Sequence, residues 1–219
     1  MSDPAGPLIT ALTVFRARGR HQEQLAVAMD WLRAATPGDQ PRAMFFVAVA
    51  LEDLQQLKVA KDTYLAAADV AVKIYERSKL HASVFPDCIL SAAHIQLREE
   101  QYQAAQHNLV VAAELVANHA GLWIELADAC WTELRFISFK IWRKAKLEEQ
   151  IVKAREAAFR LKPADFHNSW KLAWHYKIRH SEKKYFALLT VLRAKNLDIA
   201  RQVEIQINQA ITDKSHHTL

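Results

Sequence analysis

The sequence predicts an all-α protein, built of antiparallel helix hairpins stacked side by side. Composition is the first reason. Among 219 residues there are 36 alanines but only four glycines and six prolines. Alanine, leucine, glutamine, glutamate, lysine and arginine are strong helix formers, whereas a sandwich or barrel needs a glycine-rich turn every ~8–12 residues. The second reason is an apolar pattern of period ~3.6 that persists between the prolines. The third is the shortness of the connections, which forces consecutive helices to lie antiparallel.

Taken in order, the first helix spans 7–18, opening at Pro7 and closing at the connection Ala17-Arg18-Gly19-Arg20. The second, 21–35, ends before Pro37, and the third, 41–55, opens at Pro41. A long fourth helix covers 58–78, and Pro86 opens the fifth, 86–99. After the connection 97–101 come helices over 102–117, 121–142 and 145–161, the last stopping before Pro163. Three more cover 164–179, 182–194 and 197–212. No proline interrupts a periodic run, where it would cost ~3 kcal/mol. The organisation expected is a disordered stretch 1–6, one helical domain 7–212 and a frayed tail 213–219.

Two hairpins repeat a spacing. Ala48, Leu51, Ala60, Tyr64 and Ala67 lie at offsets 0, 3, 12, 16 and 19, and so do Ala93, Gln96, Ala105, Leu109 and Ala112. Small residues sit where the two helices of a hairpin approach closely, and the large residue four places on fills the gap beside them. This spacing resembles the tetratricopeptide repeat (TPR). Trp123, Leu126 and Ala127 resemble the opening of that motif, with alanine in place of glycine. Ala158-Phe159-Arg160-Leu161-Lys162-Pro163 resembles its close. Gly19 with Leu25, Ala28 and Trp31 is similar to a degraded first unit. The resemblance covers about residues 8–195. Its repeats are irregular: the two matched hairpins are 45 residues apart, against about 34 in the family. The resemblance implies a TPR-like α-solenoid of ten or eleven helices; a different stack of helix hairpins is the structural alternative.

A hairpin stack leaves a face lined by its first helices. In the inferred register that face carries Arg42, Phe45, Val49, Glu52, Leu90, His94, Arg98, Ile124, Asp128 and Trp131. The mixture suits a peptide or helix from a partner, with Phe45, Leu90 and Trp131 as anchors and Arg42, Arg98 and Asp128 setting register. A register error of one would turn Phe45, Leu90 and Ile124 into core. Some TPR domains hold a peptide carboxylate with lysine, arginine and asparagine. Only Arg42 and Arg98 stand in the corresponding helices, without asparagine, so that mode is not expected.

Charge is unevenly placed. The chain carries a net +5, but residues 135–195 hold 16 basic and five acidic residues, a net +11. One cluster is Arg135, Lys140, Arg143, Lys144 and Lys146; another is Lys171, Lys177, Arg179, Lys183 and Lys184. Ten aromatics share the segment, among them Phe136, Trp142, Trp170, Trp174, Tyr176 and Tyr185. Four readings follow: a solvated face, an acidic protein partner, unpaired RNA or DNA, or an anionic membrane surface. No amphipathic terminal anchor supports the last. Trp170 and Trp174, at i and i+4, also look like a core face.

No metal site is expected, because the ten histidines form no i,i+4 pair and Cys88 and Cys130 lie in no C-x-x-C pattern. Both cysteines sit in apolar periodic segments and read as buried free thiols. Glycine-built phosphate loops are absent, adjacent acids on helices diverge, and no cofactor is implied. No run of ~18 apolar residues and no basic-then-apolar leader is found, so a cytoplasmic protein is expected. The function expected is a non-catalytic interaction module or adaptor. The alternatives are nucleic-acid binding through 135–195 and a helical enzyme without a recognisable motif.

Overall fold

The computed structural model describes residues 5–137 and 141–216, with side chains as far as residue 212. Among the described residues eleven α-helices follow one another: α1 Gly6–Ala17, α2 His21–Ala34, α3 Gln40–Asp53, α4 Leu57–Ile74, α5 Phe85–Arg98, α6 Tyr102–Leu115, α7 Ala120–Phe136, α8 Ile141–Leu161, α9 Phe166–Ile178, α10 Glu182–Lys195 and α11 Leu197–His216. Pro7, Pro41 and Pro86 sit in the first turns of α1, α3 and α5, where a missing N–H leaves nothing unbonded. Asp165 caps α9, its carboxylate accepting from the Asn168 N–H at 2.9 Å.

Three boundaries differ from the sequence reading. α4 stops at Ile74, and Arg77–Ala82 forms a separate 3₁₀ turn. α7 ends at Phe136, six residues early, and α8 starts at Ile141 rather than 145. Residues 138–140, between them, lie outside the described residues. At the termini, Ala5 is buried and Gly6 opens α1, while α11 runs on to His216; residues 1–4 and 217–219 lie outside the described residues.

The repeat register is realised as packing. All ten residues of the two matched sets are buried, from Ala48 at 0% to Leu51 at 8% exposed. Four hairpin joints share one construction. Gly19, Gln55, Glu100 and His180 each adopt a positive φ of 52–68°. At the third joint Glu100 N–H donates to Leu97 O and Gln101 N–H to Gln96 O. The same pair of bonds recurs around Gly19, Gln55 and His180. This is the Schellman ending, in which a left-handed residue satisfies the last carbonyls and turns the chain back. Only the first joint has the glycine that this conformation favours. A side chain there costs roughly 1–2 kcal/mol, partly offset by the greater unfolded-state freedom of glycine. Glu100→Gly is therefore expected to stabilise the protein by about 0.5–1 kcal/mol. A thermal melt reads this as a rise of a few degrees; an unchanged or lower midpoint would contradict the strain.

The chain divides into two compact units, one ending at Ala117 and one beginning at Asn118. In the first, each helix from α1 to α6 packs on its sequence neighbours, around Trp31, Val47, Ala48, Tyr64, Ala92 and Ile95. In the second, α7 packs on α8 and α8 on α9, while α11 closes over α9 and α10. Its core joins Leu172, Tyr176, Leu188, Leu192, Val203 and Ile207.

Candidate functional site

α9 buries Leu172, Ala173 and Tyr176 in the core of the second unit. The neighbouring stripe of the same helix holds Trp170, Lys171, Trp174, His175 and Ile178, brought to one side by 3.6-residue spacing. Together with Trp131 of α7 and Ile151 and Arg155 of α8, these line a cavity of about 190 Å³. That is small beside the ~300–1,000 Å³ of ordinary cofactor pockets and suits a single inserted side chain.

Its electrostatics rest on one carboxylate. Arg155 is 2% exposed; its guanidinium donates to Asp128 Oδ1 and, at 3.2 Å, to Asn168 Oδ1. The Asn168 amide returns a bond to the Arg155 carbonyl. Lys171 Nζ donates to the same Asp128 Oδ1 at 2.6 Å. Two cations thus share one anion, leaving a net single positive charge. Burial pushes the His175 imidazole below its ordinary pKa, and the charge of Lys184 adds to this, so it is neutral at pH 7. The indole Nε1 of Trp170 is buried and has no hydrogen-bond partner among the described residues. An unmade bond of this kind is costly. The cavity therefore offers an aromatic cup and an excess positive charge.

A more open hollow of about 280 Å³ lies by Glu156, Tyr176 and Lys184. Burial raises the Glu156 carboxyl, but hydrogen bonds from Tyr176 and Lys184 outweigh this and hold it low. Burial also raises Tyr176, so neither group titrates near neutrality.

No protein-family model matches the sequence, and no curated protein matches it. Solved structures do. MamA (residues 41 to the end) of Desulfovibrio magneticus RS-1 is 16% identical, over 92% of this chain and 98% of that one, with a TM-score of 0.56. YrrB, a TPR protein with an unusual peptide-binding site, is 15% identical over 96% and 92%, also at 0.56. A Podospora anserina chain of TPR-like repeats, assigned as a kinesin light chain, is 12% identical over 94% and 98%, at 0.59. This chain has the TPR-like fold. At such identities the likeness is one of fold alone.

In TPR terms α1, α3, α5, α7 and α9 are first helices, and the face read from the sequence falls on three of them. Trp131 lines the cavity, Asp128 pairs with its Arg155 and Lys171, and Ile124 is half-buried one turn before Asp128. In the first unit His94 and Arg98 are exposed, and Arg42 and Leu90 half-buried. Val49 is a correction: it is buried, 6% exposed. α3 is flanked by both α2 and α4, so its run Val47–Leu51 is covered on two sides. Phe45 is half-buried against Phe46 and Tyr64, with ring centroids 5.5 and 5.6 Å away.

Much of the basic segment is engaged internally. Arg143 pairs with Glu133, Lys171 with Asp128, Lys177 with Glu182, Arg179 with Glu148 and Lys184 with Glu156. Arg135, Lys144, Lys146 and Lys183 have no ion pair among the described residues, and Lys140 lies outside them. Among the described residues no three His, Cys, Asp or Glu converge as a metal site, and no helix is long and apolar enough to cross a membrane. Cys88 and Cys130 are buried free thiols. Burial pushes Cys130 up to about 12 and Cys88 well upward too, so neither forms the reactive thiolate. Iodoacetamide at pH 8 is expected to modify neither cysteine in the native protein and both after denaturation, by mass spectrometry. Rapid native labelling of either would contradict this.

Proposed function

We propose that this TPR-like chain is a non-catalytic interaction scaffold that holds a partner peptide or helix against its first helices. The observation that carries the reading is the tryptophan-lined cavity between α7, α8 and α9. Its size matches one apolar anchor, and its positive excess favours a carboxylate nearby. The partner segment is therefore acidic, with an apolar residue next to Asp or Glu. Trp131, Trp170 and Trp174 grip the anchor, and Lys171 meets the carboxylate. In the first unit, Arg42, Phe45, Leu90, His94, Arg98 and, among half-buried positions, Glu52 are the corresponding face. That YrrB is itself a TPR protein with a peptide-binding site supports the reading.

The test is an array of immobilised twelve-residue peptides probed with the full chain. The expected binders have an apolar residue flanked by acids, and Trp131→Ala is expected to weaken them at least ~10-fold, as hot-spot aromatics do. Trp131 is 44% exposed, so this change leaves the fold intact. Binding that ignores Trp131→Ala would remove the cavity assignment. Charge reversal of Arg42 and Arg98 together tests the first unit in the same way.

A further inference from the structure

The last turn of α7 and the first turn of α8 carry unusually exposed apolar side chains. Phe136, Ile141 and Trp142 are 67%, 82% and 71% exposed, the three most exposed large apolar side chains among the described residues. They stand in a stretch with its own charge. Between Glu133 and Glu148 the sequence has five basic residues and no acid. Of the bracketing acids, Glu133 neutralises one of the five, Arg143, while Glu148 pairs with Arg179 and Glu149 with Lys153, outside the stretch. Arg135, Lys144 and Lys146 keep their charges without an ion pair among the described residues.

The presentation is built, not accidental. Arg143 grips Glu133 with two bonds, Nε to Oε1 at 2.9 Å and Nη2 to Oε2 at 2.7 Å. Glu133 is 6% exposed. This pair ties the first turn of α8 to the last turn of α7. With Arg143 turned inward, its neighbours Ile141 and Trp142 are left facing water.

We propose that the C-terminal end of α7 and the N-terminal end of α8 enter the headgroup layer of an anionic lipid bilayer, with Phe136, Ile141 and Trp142 inserted and Arg135, Lys144 and Lys146 on the lipid phosphates. Reversible membrane attachment takes two signals, an apolar insertion and a basic patch, and these two helix ends carry both. Tryptophan and phenylalanine are at home in the interfacial layer. Ile141, the most exposed of the three, does not stack on a base but does partition into lipid, which favours a bilayer over RNA or DNA. Protein interface cores are depleted in lysine, which sets a protein partner third.

The experiment is co-sedimentation of the full chain with vesicles of phosphatidylcholine, and of phosphatidylcholine mixed equally with phosphatidylserine. At low salt the mixed vesicles are expected to bind at least ~10-fold more tightly, because each basic group near an anionic surface adds to the attraction. Added salt weakens the binding. Ile141→Ser with Trp142→Ser should reduce it at least ~10-fold by removing buried apolar area. Circular dichroism and melting of that variant should match the wild type, since both side chains are exposed. Lys144→Glu with Lys146→Glu should abolish the preference for phosphatidylserine. The proposal is overturned if mixed vesicles fail to sediment the chain, or if either double variant binds them as the wild type does. It is also overturned if these helix ends instead bind single-stranded oligouridylate through Trp142 with no vesicle binding.

Discussion

Tyr64→Ala is expected to cost about 4 kcal/mol of stability, within the ~3–5 kcal/mol range for deleting a buried aromatic. Tyr64 is 1% exposed. It fills the gap that Ala48 and Ala60 leave between α3 and α4, with the Phe45 ring 5.6 Å away. Its hydroxyl donates to Glu52 Oε2 at 3.0 Å. Burial raises its pKa far above the ordinary phenol value, and the Glu52 charge adds to this, so the donor stays protonated. Tyr64→Phe keeps the ring and loses the hydroxyl's bonds with Glu52 and Ser91, about 1–2 kcal/mol. Leu109 holds the same register position in the next hairpin, so Leu109→Ala should cost a similar apolar amount, about 3 kcal/mol. Urea unfolding should be followed by far-UV ellipticity, because five of the six tryptophans belong to the second unit. A Tyr64→Ala loss under 1 kcal/mol would mean that the shared register has no packing content.

That register is the part of the fold most legible in sequence. Alanine recurs at fixed offsets because only a small side chain lets two helices approach, and this constraint is written one residue at a time. The joints were less visible. Gln55 and Glu100 take left-handed backbone that their side chains do not favour, and no local signal marks them. The tertiary hairpin imposes the turn. The candidate site was half visible. Asp128 and Trp131 followed from counting first-helix positions. Trp170 and Trp174 looked like core, because a face that lines a cavity and a face that fills a core share one periodicity. Arg155 is one of the sixteen basic residues of 135–195 and belongs to neither cluster read from the sequence. It had a readable signal, since it falls on the apolar stripe of Ile151 and Ala158 at i+4 and i+7, where a guanidinium needs a buried partner. The partner, Asp128, is 27 residues away, and only the packing of α7 on α8 brings them together. The basic segment misled in another way. Its charge count ignored acids outside it, such as Asp128 and Glu133, that the fold folds back onto it.

Asp128→Ala is expected to destabilise the second unit by about 3 kcal/mol, because it strands a buried guanidinium. The Arg155 side chain is 3% exposed and would keep only Asn168 as a side-chain acceptor. The figure sits at the low end of the ~3–5 kcal/mol seen for broken buried pairs, since the Asp128 side chain is 30% exposed and water screens part of the interaction. Removing both partners is a different matter. A methionine fills much of the space of an arginine stem, and replacing a whole buried pair by apolar groups is often near neutral. Asp128→Ala with Arg155→Met should therefore recover to within about 1 kcal/mol of the wild type, a coupling of roughly 2 kcal/mol in a double-mutant cycle. Additive losses would refute the pairing. The same variant separates architecture from recognition. One anion and one cation leave together, so the cavity keeps its single positive charge on Lys171. Binding of an acid-flanked apolar peptide should survive in the double variant and fall in Lys171→Met, whose fold loses only a half-exposed contact. If the double variant refolds but no longer binds, the Asp128–Arg155 pair, and not the Lys171 charge alone, is what the partner recognises.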